Sequence, residues 1–152
     1  MTDARAELNE VTRIFFAAFT NRGRAQPQVD ALYRLFLPQA VITKRHGASA
    51  EVYDLAGFIE PRRKLLTEGS LLDFSEQEVS ARTEIFGGIA QRFCTYRKAG
   101  VLYGQPFAGG GVKTIQFVQL NGTWRISALA WEDERPGLPV PGNAGLSPAA
   151  AL

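Results

Sequence analysis

Arg92, Cys94 and Tyr96 alternate two residues apart along one stretch, as groups on one face of a strand do. A guanidinium and a phenol on one wall can hold or polarise a carbonyl or carboxylate oxygen. Gly87-Gly88 reads as a two-residue hairpin turn and decides what faces them. Counting back from that turn, Phe86 opposes Ile89, Ile85 opposes Ala90, Thr83 opposes Arg92, Ala81 opposes Cys94 and Val79 opposes Tyr96. This face is small and apolar with a few polar groups, the composition of a pocket wall. Glu84, Arg82, Glu78, Gln91, Thr95 and Arg97 fall on the other face.

Arg62 shares a helical stripe with Phe58, Ile59, Leu65 and Leu66. A buried arginine needs a carboxylate, carbonyls or an anionic ligand. The ordinary reading is a salt bridge to an internal acid such as Asp133 or Glu51. The sharper one is that Arg62 and Arg92 together clamp a carboxylate or enolate oxygen. Trp131 and Asp133 share strand parity, so a carboxylate set against an indole, with a raised pKa, is a candidate base. A solvated strand end is the plainer reading of that acid. His46, the only histidine, is a candidate base near neutrality, or an exposed loop residue. Cys94 reads as a small core residue. One histidine and one cysteine far apart in sequence make no ligand cluster, so no metal and no cofactor are expected.

The elements that must position these groups are legible. Helices are expected over Thr2 to Thr20, after Pro27 with an apolar face of Leu32, Leu35 and Phe36, and from an Asp54 cap to about Thr67. Short strands cover Ala40 to Arg45 and Glu51 to Tyr53. Four long strands follow: Leu72 to Ile85, Ile89 to Lys98, Val112 to Leu120 and Thr123 to Asp133. Asn121-Gly122 is a second tight turn, and Gly100 to Gly111 reads as a longer glycine-rich connection. In the last strand Trp124 and Ile126 have one parity and Leu129 and Trp131 the other, which predicts a bulge near Ser127-Ala128. Ile115, Phe117, Trp124 and Ile126 are expected on a sheet face covered by a second subunit. Helices first and an antiparallel meander second predict an α+β domain over residues 1–135. Residues 136–152 are a Pro/Gly/Ala-rich tail.

The 152 residues suit one domain, and a net charge of +2 with scattered basic groups argues against nucleic acid. No apolar run is long enough to span a bilayer, and the N-terminus has no signal-peptide pattern. One cysteine fits a reducing, cytoplasmic setting.

The stretches "VDALYRLFLPQAVI", "YDLAGFIEPRRKLLTEG" and "GTWRISALAWEDE" resemble the nuclear transport factor 2-like superfamily, in an uncharacterised bacterial branch. The superfamily includes ketosteroid isomerase, scytalone dehydratase, limonene epoxide hydrolase and the SnoaL-like polyketide cyclases. The resemblance spans about Leu8 to Arg135. It implies three helices packed in the concave face of a strongly curved, mostly antiparallel sheet, the cystatin-like cone. No catalytic motif of those enzymes can be matched residue by residue, and the fold hosts enzymes and non-enzymes alike.

The expected function is therefore a small-molecule-binding domain with a hydrophobic, partly polar cavity lined by Arg62, Arg92, Cys94, Tyr96 and Trp131. Its ligand is a small hydrophobic carbonyl or carboxylate compound, and the protein is a homodimer through the sheet. Two alternatives stand beside it. One is a cofactor-free isomerase, dehydratase or hydrolase in which Asp133 moves a proton while Arg92 or Tyr96 holds the oxyanion. The other is a non-catalytic dimeric interaction module.

Overall fold

The computed structural model describes residues 3–142 and 147–148. The α-helices among the described residues are α1 Ala4–Ala17, α2 Asp30–Leu35 and, after two strands, α3 Leu55–Thr67. Asp3 caps α1 by accepting from Arg5 N, and Asp54 caps α3 by accepting from Gly57 N. The strands are β1 Phe36–His46, β2 Ser49–Tyr53, β3 Leu71–Phe86, β4 Ile89–Leu102, β5 Gln105–Leu120, β6 Thr123–Asp133 and a two-residue β7 Ser147–Pro148. They form one sheet in the order β2-β1-β6-β5-β4-β3-β7, antiparallel except where β1 runs beside β6. The helices pack on its inward face around Phe15, Phe19, Phe36, Phe58, Phe117 and Trp131.

Two turn expectations hold in detail. Phe86 pairs with Ile89 across Gly87-Gly88, and Leu120 pairs with Thr123 across Asn121-Gly122. Asn121 and Gly122 both have positive φ, the backbone such a turn requires. The bulge in β6 is also present. Gln116 pairs with Ala128 and Phe117 with Ile126, so Ser127 is the extra residue. Its consequence differs from the expected one, because the bulge turns Trp124, Ile126, Leu129 and Trp131 all to the inward face, where all are buried. Ile115 and Phe117 are buried there too. None of the four residues expected at a subunit interface lies on the outward face.

Phe16 on α1 is 4% exposed and packs edge-on against Phe15. Two further expectations need correction. Gly100 to Gly111 is not a long connection: β4 and β5 continue through it, joined by a tight turn at Tyr103-Gly104. β1 begins at Phe36, before Pro38. Its pairing to β6 jumps from Phe36 to Val41, where a proline without an N–H would interrupt the ladder.

β3 carries the irregularity with most consequence. Glu78 pairs with Tyr96 and Ser80 with Thr95, leaving Val79 unpaired and exposed. The turn register predicts Val79 opposite Tyr96 on the inner wall and Glu78 outside; one inserted residue exchanges them. At the other end of the chain, Leu138, Pro139, Val140 and Pro141 line a space of about 360 Å³ against Phe93, Val112 and Thr114 on the outward face. β7 pairs with β3 at Ser80 and Ala81. The remainder of the expected tail lies outside the described residues. Among the described residues no helix is long and apolar enough to cross a membrane.

Candidate functional site

The strand registers set the inward face out in rows. One row runs Ile42, Leu129, Ile115, Arg92 and Thr83 from β1 to β3. The next runs Lys44, Trp131, Lys113, Cys94 and Ala81, and the one after it Asp133, Gly111, Tyr96 and Glu78. Lys98 and Glu76 face each other beyond these. Five cations, once Arg62 is added from α3, therefore share one face with three carboxylates.

Arg92 is 5% exposed, and the structure engages its guanidinium fully. Nε and Nη2 donate to Glu78 at 2.8 and 2.6 Å, and Nη1 donates to Asn9 Oδ1 at 2.8 Å and Thr83 Oγ1 at 2.9 Å. The Asn9 bond ties α1 to the sheet, and the four bonds together leave little donor capacity for a ligand. Arg92 borders a cleft of about 700 Å³ between α1 and β3, with Thr12, Phe16, Glu76 and Glu78 also in its wall. Arg62 lies elsewhere, so the two arginines do not converge.

Arg62 has neither of the salt bridges expected for it. Its Nη1 donates to Phe58 O at 2.9 Å, and its guanidinium carbon stands 4.2 Å from the Phe58 ring centroid and 5.4 Å from those of Tyr53 and Trp131. No carboxylate pairs with it among the described residues. Burial pulls its pKa down, partly countered by Tyr53 and the charges of Glu76 and Glu51. Lys44 lies over the same indole, 6.0 Å from its centroid, and burial lowers its pKa as well. Tyr53 stacks on Trp131 and its hydroxyl donates a hydrogen bond to Glu51.

Asp133 does not have the raised pKa that its parity with Trp131 suggests. Burial raises its pKa, but hydrogen bonds from Lys98 and Tyr96 and the charges of Lys98 and Lys44 outweigh that and hold it below the usual carboxylate range. Lys98 Nζ donates to both carboxylate oxygens at 2.9 Å, and Tyr96 Oη donates to Oδ1. Tyr96 is fully buried, and burial together with that bond pushes its own pKa up. Its proton is therefore held for Asp133 rather than for an oxyanion. A group depressed in this way adds stability above its unfolded pKa of about 3.9 and loses it as pH falls through the folded value. Asp133→Asn should accordingly lower the melting temperature at about pH 6, with the gap to wild type narrowing as pH falls below the usual carboxylate range. Melts across that range check this, and a gap independent of pH would show that the charge adds nothing.

Cys94 is fully buried, and burial, with Glu78 nearby, raises its thiol pKa strongly. It is a core residue without thiolate character. His46 is exposed at the β1–β2 turn, its Nε2 3.2 Å from Glu51 Oε1. Sequence reasoning missed Lys113, Glu76 and Glu78. Lys113 could have been found by counting the inward parity back from Phe117 and Ile115. Glu76 and Glu78 could not, because the bulge at Val79 reverses parity without marking the sequence. Among the described residues, no three His, Cys, Asp or Glu side chains are grouped to hold a metal ion.

No family model and no curated protein sequence matches the chain. Solved structures do. A nuclear transport factor 2-like superfamily protein from Salmonella enterica superposes with a TM-score of 0.69 at 13% identity, covering 86% of this chain and 91% of its own. A cystatin-like fold protein from Caulobacter vibrioides gives 0.68 at 13%, covering 90% and 93%. A nuclear transport factor 2-like protein from Prochlorococcus gives 0.70 at 12%, covering 88% and 95%. At such identities the likeness speaks for architecture, and with the helix-lined, mostly antiparallel sheet described above it gives the assignment: the chain has the nuclear transport factor 2-like, cystatin-like α+β fold.

Proposed function

We propose that the chain binds a small organic anion, a carboxylate on an apolar or aromatic body, where Lys44, Arg62 and Trp131 meet. One observation carries this reading: Arg62 is withdrawn from much of the solvent, lies on three aromatic rings and has no carboxylate partner among the described residues. Two interior cations on the sheet are tightly paired, Arg92 with Glu78 and Lys98 with Asp133, and Lys113 has Glu76 at 3.4 Å. A buried guanidinium held only by a carbonyl and ring faces is a site prepared for an anion. A carboxylate would take the free edge of the guanidinium through two parallel hydrogen bonds, with Lys44 as a second positive charge. Trp131 and Tyr53, stacked with rings 13° apart, supply the apolar bed.

The test is titration with benzoate beside benzyl alcohol, followed by tryptophan fluorescence. Benzoate should bind at least about tenfold more tightly, the lower end for a charge-assisted bond to a buried arginine. Equal affinities would remove the anion from the reading. The isomerase, dehydratase or hydrolase alternative with Asp133 as base has less support, because Tyr96 and Lys98 occupy that carboxylate and lower its basicity.

We also propose that a second copy of the chain covers the outward face beside the tail, in the cytoplasm, where a lone buried thiol is at no disadvantage. A groove of about 410 Å³ there is bordered by Val41, Thr43, Phe93, Gln116 and Ala128, and Val41 is 51% exposed. Light scattering at micromolar concentration should return twice the chain mass for wild type and the single mass for Val41→Glu. A single mass for both would end the dimer proposal.

A further inference from the structure

Lys113 stands in the middle of the inward face, between Trp131 on β6 and Cys94 on β4, with its side chain 5% exposed. Its Nζ is surrounded by rings. It lies 4.2 Å from the centroid of Tyr96, 5.0 Å from that of Trp131 and 5.8 Å from those of Phe15 and Phe16. One carboxylate is near, with Glu76 Oε1 at 3.4 Å. No hydroxyl or backbone carbonyl among the described residues takes a hydrogen bond from it.

That environment differs from those of its interior neighbours. Lys98 makes two 2.9 Å bonds to Asp133, and Arg92 makes four bonds to three residues. Both are held as charged groups. Lys113 has one long ion contact and four rings within 6 Å, and no hydrogen-bonded partner as close as those of Lys98 and Arg92, so it is the least firmly held of the three. A leucine or methionine would fill the same space without leaving a cation to desolvate, so packing alone does not call for a lysine here. A neutral lysine amine is a nucleophile toward carbonyl carbon. It is also within one side chain of solvent. Glu76 and Phe16, which both face Nζ, form part of the wall of the cleft between α1 and β3.

We propose that Lys113 is a carbonyl-capturing amine: a small aldehyde or ketone entering through the cleft between α1 and β3 condenses with its Nζ to form an imine, with Glu76 moving the protons. The steps balance. Glu76 takes a proton from the ammonium and leaves the free amine. The nitrogen lone pair forms a bond to the carbonyl carbon, the C=O π pair moves to oxygen, and that oxygen takes the proton back from Glu76. The carbinolamine nitrogen then gives its extra proton to Glu76, which delivers it to the hydroxyl. Water leaves as the C=N bond forms. The products are the protonated imine and one water, and no oxidant or reductant is needed.

Burial lowers the Lys113 pKa against the opposing charge of Glu76, which raises the share of free amine near neutrality. The other titratable groups around it do not compete. Tyr96 donates its proton to Asp133, Lys98 is bound to the same carboxylate, and Cys94 is held as a thiol. None of these steps involves the anion site at Arg62, which lies on α3.

The probe is benzaldehyde with sodium cyanoborohydride, which reduces an imine to a stable benzyl amine. Applied to the full chain near neutral pH and followed by peptide mass mapping, it should place a benzyl group on Lys113 several-fold faster than on exposed Lys64 or on Lys98, whose ammonium is bound to Asp133. The preference should vanish in denaturing urea. Glu76→Gln should slow labelling of Lys113 by about a hundredfold, the lower range for a lost acid–base group. Labelling of exposed Lys64 ahead of Lys113, or an unlabelled Lys113, would overturn the proposal on wild-type protein alone, whatever the fold of any variant. Undiminished labelling in Glu76→Gln would remove the proton shuttle, and with it the proposed role of Glu76 in imine formation.

Discussion

Glu78→Ala is expected to destabilise the fold by about 3–5 kcal/mol, because it leaves Arg92 as a buried cation with only neutral partners. The bidentate contacts at 2.6 and 2.8 Å disappear, while Asn9 and Thr83 still hold Nη1 and so prevent the guanidinium from swinging out to water. Urea unfolding should show a lower midpoint at unchanged slope, the signature of lost stability without a change in buried surface. The double variant Glu78→Leu with Arg92→Met should recover much of the loss, because a buried ion pair replaced by apolar groups of similar size is often neutral. A single-variant loss below about 1 kcal/mol, the range of exposed pairs, would mean that water reaches the pair through the cleft and screens it.

Gly111→Ala has the next largest expected effect, about 1–3 kcal/mol or more as an overpacking change. A Cβ at Gly111 would collide with Glu132 O and Tyr96 Oη, and would stand 2.8 Å from Tyr96 Cζ. The Tyr96 ring cannot yield cheaply, because it is fully buried and its hydroxyl holds Asp133. The same glycine run contains its own control, since nothing lies within 4 Å of a Cβ at Gly109. Gly109→Ala should be neutral or stabilise by about 0.4–1 kcal/mol through the unfolded chain. Equal melting temperatures for the two variants would show that Tyr96 does not lie over Gly111 as described.

This pair of glycines also shows how far the sequence could be read. GGG between two strands looks like a loop, and composition alone does not reveal that a tyrosine of the neighbouring strand needs the missing side chain. The hairpin at Gly87-Gly88 is legible because a two-residue turn leaves one register open, and it places Arg92 and Cys94 correctly opposite Thr83 and Ala81. The register is lost at Val79, where a single inserted residue carries no compositional mark. Glu78 consequently reads as an outward residue, and the partner of Arg92 stays unseen. The bulge at Ser127 is visible because four large apolar residues change parity around it. Its direction is not, since parity alone does not say which face the helices cover. Arg62 stands out in the sequence as an oddity on an apolar stripe, but only the structure shows that neither Asp133 nor Glu51 meets it: the first is taken by Lys98 and Tyr96, the second by Tyr53 and His46.

Arg62 is kept for a ligand rather than for the fold if the anion site is real, and Arg62→Met separates the two roles in one preparation. Methionine keeps apolar contact with Phe58, Tyr53 and Trp131 and removes a cation that has no carboxylate partner among the described residues. The variant should melt no lower than wild type, while its affinity for benzoate falls by about 10- to 100-fold, the loss of one hydrogen-bonded charge. A clear drop in melting temperature with benzoate affinity unchanged would contradict the anion site and make Arg62 a structural residue.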